Sequence, residues 1–277
     1  MFSVLDRIEN VIPLKFVNQK IIVDDRSTDA TREIAKNFDW KVIPNEGVGI
    51  SDGANTALKH VETEYFISLE QDLVLSSEWW GRVPMYLLDA KVAIANGIRI
   101  CKDLEIFSKI EEFAFEKYRK RQNVGKFDLD KFLYGKTLDN TIYKTEIIRR
   151  IGGFPKLSVP AGVDNVLAYR TYLAGYRWLV DYDVKSIHLR KDIWDELNHR
   201  YWYGTCFDGL SRALGIRYPN MNRHVLRFLF SPIRGLQIGI TKSDIRATYI
   251  YPLIRFNVLR GISYSRKHKE EFTEHKN

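Results

Sequence analysis

The chain has 277 residues, 45% hydrophobic and 28% charged, with 17 Gly and 8 Pro; this excludes a disordered or low-complexity polymer and predicts one large α/β domain with an appendage, or two small domains. Its two cysteines, Cys101 and Cys206, lie far apart and in no C-x-x-C spacing, which indicates neither a zinc site nor a disulfide framework and fits a reducing, cytoplasmic setting. The formal charge of +8 is concentrated: 12 Lys+Arg against 4 Asp+Glu fall between 217 and 277, whereas the preceding residues balance at 31 each, and this asymmetry points to an acidic partner for the C-terminal segment.

Val4, Leu5, Ile8, Val11 and Ile12 recur at the spacing of an amphipathic helix until Pro13 interrupts it. Ile21-Ile22-Val23 is a short apolar run ending in Asp24-Asp25, which reads as a buried strand with carboxylates at its C-terminal tip. Thr28 or Asp29 can cap the next helix, 30–37, and a second strand is expected over 41–43. The stretch 45–53 reads as a glycine-containing loop leading into a helix through Ala54, Ala57 and Leu58. Tyr65 to Leu69 is again an apolar strand, and its tip carries Glu70-Gln71-Asp72. Strand, acidic tip, turn and helix thus occur twice, which predicts an α/β fold with a mostly parallel sheet and a ligand site outside the carboxyl ends of its strands. Further on, 92–98 reads as a strand, 105–121 as a charged helix, 125–135 as a loop, 143–150 as a helix stopped by Gly152-Gly153, and 164–174 as a helix closed by Gly175. Short strands are expected at 178–180 and 185–187. No repeat of solenoid length occurs, and no run of about 18 apolar residues marks a membrane span.

Asp24, Asp25, Glu70, Asp72, Asp164 and His188 all fall at or just beyond expected element ends. Carboxylates gathered at strand tips repel one another unless a cation joins them, so Mg²⁺ or Mn²⁺ is the expected occupant. Such a cation neutralises a diphosphate leaving group while a separate carboxylate takes the proton of an incoming hydroxyl. Each residue also has a plain alternative: Asp24-Asp25 as a turn, Glu70 and Asp72 as a solvated loop, Asp164 as a helix N-cap, and His188 as a structural histidine. Trp79-Trp80 and the aromatics from Trp194 to Tyr203 read more readily as core than as a sugar platform.

Val23-Asp24-Asp25-Arg26-Ser27-Thr28-Asp29-Ala30-Thr31 resembles the V-D-D-x-S-x-D-x-T segment of glycosyltransferase family 2, the inverting family with the GT-A fold. Asn45-x-Gly47 and Gly53-Ala54-Asn55-x-Ala57 are similar to its following loop and helix, and Glu70-Gln71-Asp72 stands where the family has a D-x-D metal and diphosphate motif. Ile151-Gly152-Gly153-Phe154 resembles the family's G-G-F turn, Gly162-Val163-Asp164-Asn165 takes the place of its E-D pair, and Ala174-Gly175-Tyr176 its A-G-Y helix ending. The resemblance runs from about Val4 to Lys191. It implies a GT-A-like domain over 1–192, with Asp24, Asp25, Asn55, Glu70 and Asp72 binding the nucleotide sugar, Asp72, Glu70 and His188 holding Mg²⁺ or Mn²⁺, and Asp164 as catalytic base. Glu70 departs from the family's first aspartate and Val163 from the acidic neighbour of the base. Family members begin with a strand before the first helix, and here that strand is expected to be missing.

Over 193–277 a basic, largely helical extension is expected. Arg223, Arg227 and Arg234 project within about 40° of one another on an ideal helix, while Val225, Leu229, Ile233, Leu236 and Ile240 recur at three- and four-residue steps and Pro232 kinks or splits the helix. Segregation of this kind suits an interfacial helix on an anionic membrane, although a helix packed on the main domain would also show it. No nucleic-acid motif accompanies the charge. The expected activity is sugar transfer from a nucleotide-sugar donor to a glycan or lipid-linked acceptor, peripheral at the cytoplasmic face of a membrane. The alternatives are a polyprenyl- or dolichyl-phosphate sugar synthase, whose acceptor needs no base, and a catalytically silent nucleotide-sugar-binding scaffold.

Overall fold

The computed structural model describes residues 1–101, 104–119, 134–157, 159, 161–215 and 221–268. The chain divides into two compact units, one formed by Met1–Arg99, Leu133–Lys156 and Val163–His188 and the other by Ile100–Phe132, Leu157–Gly162 and Leu189–Asn277. The sequence expectations for 120–133, including most of the loop 125–135 and the last two residues of the helix 105–121, lie outside the described residues.

The first unit is α/β. Helix α1 (Phe2–Val11) buries Val4, Leu5 and Ile8 on one face and ends as Ile12 turns extended before Pro13. Strand β1 (Ile21–Asp24) pairs in parallel with β2 (Lys41–Pro44), with Ile22 opposite Val42, and α2 (Thr31–Asn37) crosses between them. The Thr31 N–H donates to Asp29 Oδ1 at 3.0 Å, so the aspartate side chain starts that helix. Helix α3 (Gly49–His60) begins inside the stretch that reads as a loop in the sequence. Strands β3 (Tyr65–Ser68), β4 (Leu73–Val74), β5 (Val92–Ile100), β6 (Thr141–Lys144) and β7 (Arg177–His188) form a second sheet in the order β3-β6-β5-β7-β4. The whole is mixed: β6 runs antiparallel to both β3 and β5, and β4 antiparallel to β7. Short helices α4 (Trp79–Arg82) and α6 (Thr145–Arg150) follow β4 and β6, and α7 (Val163–Leu173) precedes β7.

Two further elements differ from the sequence reading. Residues 177–188 are one strand, because Asp181, which breaks the apolar pattern, is buried against Arg82 Nε and NH2 at 3.0 Å each. Tyr143 belongs to β6 and stacks on Phe66 of β3 with ring centroids 4.6 Å apart. A core of Val4, Leu5, Leu73, Leu75, Trp79 and Val92 joins α1 to the sheet; burial of such side chains stabilises by about 1.5–3 kcal/mol each.

The second unit is helical among its described residues: α5 (Glu105–Arg119), α8 (Ile193–Leu214), α9 (Met221–Leu229), α10 (Ser231–Thr241) and α11 (Ala247–Lys267). Asp192 caps α8 by accepting the Asp195 N–H at 2.8 Å, and Gly215 closes it in the left-handed conformation. Pro232 enters at the first turn of α10, so the expected basic helix is split into α9 and α10. Helices α8 and α11 touch backbone to backbone: a Cβ on Gly204 would lie 2.3 Å from the Val258 carbonyl oxygen, and one on Gly261 2.1 Å from that of Tyr201. Phe107, Ile110, Leu197, Ile238, Ile250 and Ile254 make this unit's core. Among the described residues no helix is long and apolar enough to cross a membrane.

Candidate active site

Strands β1 and β3 each have a strand bonded on one side, and both line a cleft of about 1230 Å³. Ile21, Val23, Phe66 and Ile67 contribute to its walls, and Asp25, Glu70 and Asp72, from the residues just past β1 and β3, also face it. Asp24 does not line it. Its carboxylate is buried, accepts the Ser27 N–H at 3.3 Å and meets Arg32 Nε at 2.7 Å. Burial alone would raise this carboxyl, but the Ser27 and Arg32 bonds outweigh it and hold the group below its ordinary value. Asp25 accepts the Gly49 N–H at 2.9 Å at the first residue of α3. Asn55 is also turned away: its amide donates to the Phe154 carbonyl at 2.8 Å and accepts the Phe154 N–H at 2.9 Å. Gly153 beside it has φ +70, and a Cβ there would meet Asn55 Oδ1 at 2.6 Å, so the G-G-F turn serves this clasp.

Past β3, Glu70 and Asp72 meet His188 from the last residue of β7. One donor atom from each lies within 4.8 Å of the others, and His188 Nε2 is 3.1 Å from Asp72 Oδ2. A fourth carboxylate that sequence reasoning missed, Asp139, stands in the turn before β6. It is fully buried, its Oδ2 bonds Arg99 NH1 at 3.1 Å, and its Oδ1 has no hydrogen-bond partner. Arg99 NH1 also approaches Glu70 Oε2 at 3.9 Å. Burial, then the charge of Asp139, push the Glu70 carboxyl up to about 8, with Asp72 and Asp164 adding to the effect and Arg99 opposing it. Asp164, in the first turn of α7, accepts the Asn165 N–H at 2.8 Å. Burial pushes its carboxyl up to about 6; the Asn165 bond and Arg99 oppose this, and Asp139 adds to it. The structure thus brings together Glu70, Asp72 and His188, puts Asp139, Arg99 and Asp164 near enough to act on the Glu70 charge, and leaves Asp24 and Asn55 in structural bonds.

Carboxylate oxygens with one imidazole nitrogen suit a hard or borderline divalent cation such as Mg²⁺ or Mn²⁺. The orphaned Asp139 Oδ1 and the raised Glu70 are what a negative cluster shows when its balancing charge is left out. The residues present therefore fit the cation.

A family model described as glycosyl transferase family 2 matches residues 6–152, just over half of the chain. The chain belongs to glycosyl transferase family 2. No curated protein matches its sequence. Among solved structures it resembles a mannosyltransferase from Pyrobaculum calidifontis in complex with GDP-Man and Mn²⁺, at 17% identity and TM-score 0.58, over 95% of this chain and 70% of that one. It also resembles glucosyl-3-phosphoglycerate synthase from Mycobacterium tuberculosis in complex with Mn²⁺, UDP-Glc and phosphoglyceric acid, at 15% identity and TM-score 0.53, over 78% of this chain and 76% of that one. Both likenesses are of fold. This family 2 chain is accordingly a glycosyltransferase, of the type that uses nucleotide sugars. Asp139 escaped the sequence reading because Leu138-Asp139-Asn140-Thr141 has the composition of an ordinary turn.

Proposed function

We propose that this family 2 chain transfers a hexosyl group from a nucleotide-diphosphate sugar to a hydroxyl of a lipid-linked or membrane-proximal glycan, inverting the anomeric centre. The observation that carries the reading is the meeting of Asp164, its carboxyl raised to about 6, with the Glu70, Asp72 and His188 group. A base with its pKa just below neutral is ionised at neutral pH yet still takes up a proton readily. Asp164 accepts the proton of the acceptor hydroxyl as the acceptor oxygen bonds to the anomeric carbon and the bond from that carbon to the diphosphate breaks. A single in-line displacement of this kind inverts the centre. Asp25 faces the cleft at the tip of β1 and holds the nucleoside. Glu70, Asp72 and His188 hold Mg²⁺ or Mn²⁺, which when bound supplies positive charge against the leaving diphosphate. Arg99 holds Asp139 in place through its 3.1 Å hydrogen bond.

The test is transfer or hydrolysis by the full chain over a panel of UDP- and GDP-sugars with Mn²⁺ or Mg²⁺, starting from the GDP-Man and UDP-Glc of the two similar structures. Turnover of none of them sinks the enzyme reading.

The membrane part of the proposal is supported by the second unit. Leu229, Ile233 and Ile240 are 61%, 68% and 72% exposed along α9 and α10. Arg223 and Arg227 are exposed on α9 as well, whereas Arg234 packs over the Phe113 ring at 4.5 Å. Exposed aliphatic side chains flanked by arginines enter the headgroup boundary of an anionic bilayer. Flotation with anionic and neutral vesicles measures it; equal, negligible binding to both removes the membrane from the proposal.

A further inference from the structure

Strands β1 and β3, both in the first unit, each turn an edge with no strand bonded to it toward one cleft. On β1 the Lys20 carbonyl accepts the Lys41 N–H at 2.8 Å and the Asp24 carbonyl accepts the Asn45 N–H at 2.9 Å. Lys20, Ile22 and Asp24 therefore direct their backbone groups at β2, and strand alternation directs those of Ile21 and Val23 the other way. The cleft is lined by Ile21 and Val23 and not by Ile22 or Asp24. On β3 the Glu64 carbonyl accepts the Thr145 N–H at 2.9 Å, so Phe66 and Ser68 bond to β6 while Tyr65 and Ile67 face the same cleft. The Tyr65 carbonyl accepts the Thr63 hydroxyl at 2.7 Å; among the described residues no strand bonds the other groups. The two edges start at the same end, where Gln19 alone spans the gap: its amide donates to the His60 carbonyl at 3.1 Å and accepts the Glu62 N–H at 3.0 Å.

Helices close the other two sides. Ile22 and Ile67 pack with the α1 core, whereas Val23 is the β1 side chain nearest Gly53 of α3 and Phe66 packs on Phe154, which Asn55 of α3 clasps. Ile8 and Ile12 of α1 and Gly53, Ala54 and Ala57 of α3 line the cleft from these two faces. Strand β5, bonded on both sides, is buried over 92–98, but Ile21, Ile22, Val23, Phe66 and Ile67 are only half-buried. Two backbone edges and two helix faces thus bound a space with the section of one strand.

We propose that the cleft between β1 and β3 is a slot for one extended apolar segment of another polypeptide, which bonds both edges and joins the two sheets into one. The rows of N–H and C=O groups call for another backbone, since a hydrocarbon chain leaves them unmatched. β1 and β3 have four residues each, and a strand covered on both faces is a continuous Val-, Ile- or Leu-rich run, so the segment is about four or five such residues long. It ends short of Asp25, Glu70 and Asp72, which lie past the two strands, and fixes the spacing between them. Binding is read without catalysis, so a chain that transfers no sugar leaves this inference standing.

The probe is a labelled synthetic peptide of about five alternating valines and isoleucines flanked by lysines, added to the full chain. Its control is the same peptide N-methylated at alternate residues, which keeps the side chains and removes the donors toward one edge. In the chain alone the Val23 and Ile67 amides are expected to exchange with solvent faster than those of Ile22, Asp24, Phe66 and Ser68; the peptide slows Val23 and Ile67 by about 10-fold or more. Affinity, read by fluorescence anisotropy, is expected to fall about 10- to 100-fold with the methylated peptide, the loss of two hydrogen bonds. Ile67→Pro removes a donor facing the cleft, spares the bonds of Phe66 and Ser68 to β6, and weakens the unmethylated peptide by about 10-fold. Should that variant not fold, the methylated control decides alone. Equal binding of the two peptides, or none of either, overturns the proposal. Protection of Val23 and Ile67 in the chain alone overturns it too: in a monomer the edges are already closed, and in a dimer by sedimentation a second copy fills the slot.

Discussion

The two units solve opposite versions of one electrostatic problem. In the first, Glu70, Asp72, Asp139 and Asp164 converge from three separate stretches of chain, with Arg99 bonded to Asp139 and acting on Glu70. In the second, Arg190 and Arg200 gather around Glu196 and Glu111. Like charges at short range raise the free energy of both, and burial strengthens the repulsion by lowering the local dielectric. The carboxylates have a means of relief the guanidiniums lack, since Glu70 takes up a proton where arginine cannot give one away. The acidic cluster therefore points to a ligand of the opposite sign, whereas Arg190 and Arg200 find their counter-charge in Glu196 and Glu111.

The sharpest way to break this comparison is Asp164→Asn. If Asp164 is the base, kcat falls about 100- to 10,000-fold. In the wild type the rate climbs as pH rises through about 6, where Asp164 ionises, and then levels; the variant loses that limb. Retention of near-full activity would instead favour an acceptor phosphate, which needs no base. Asp139→Ala leaves Arg99 without its fully buried partner and is expected to cost about 3–5 kcal/mol, read by denaturant unfolding. It should also bring the Glu70 pKa down toward its ordinary value, which carboxylate titration by NMR would show. In the helical unit Gly261→Ala drives a methyl into the Tyr201 carbonyl and should cost about 1–3 kcal/mol as α8 and α11 separate. An unchanged Tm would mean that the helix crossing is looser than drawn.

The smallest effect is a difference in sign. Glu70 and Asp164 have raised pKa values, so their stabilising contribution is complete below the ordinary values of 4.5 and 3.8 and is lost as pH rises through about 8 and about 6. Asp244 is the reverse: its bonds to Arg246 and Lys109 outweigh burial and lower it, so its contribution is present above 3.8 and lost as pH falls through its depressed value. In EDTA the first unit should lose a few degrees of Tm between pH 6 and 8.5, and Mn²⁺ should restore them by binding the ionised cluster. A Tm that rises over that interval, with no response to Mn²⁺, would contradict the assignment.

Much of the first unit was legible because its strands are short apolar runs ending in acid, and that pattern placed Asp25, Glu70 and Asp72 at the cleft without reference to distant residues. The turn chemistry of Gly152-Gly153 and Gly175 was legible for the same local reason. Asp139 was not, because what makes it unusual is complete burial beside Arg99, a property of the folded chain. Asn55 matched a motif whose residues here clasp the chain, and only the Phe154 bonds show it. The single strand over 177–188 was hidden by Asp181, since its partner Arg82 is 99 residues away in sequence. The second unit was the least readable: α8 places glycines and polar residues where it meets α11, so no apolar stripe announces its contact face.

The Asn55 clasp has a kinetic consequence. Its two hydrogen bonds join residues 99 positions apart, and closing so long a loop costs entropy that two bonds alone do not recover. The clasp therefore depends on the sheet, against which Phe154 packs, to hold α3 and the turn past α6 together. In the native protein the buried Phe154 ring packs on Phe66 and Tyr143, so hydrogen exchange at the Phe154 amide should be as slow as in the strand pairs beneath.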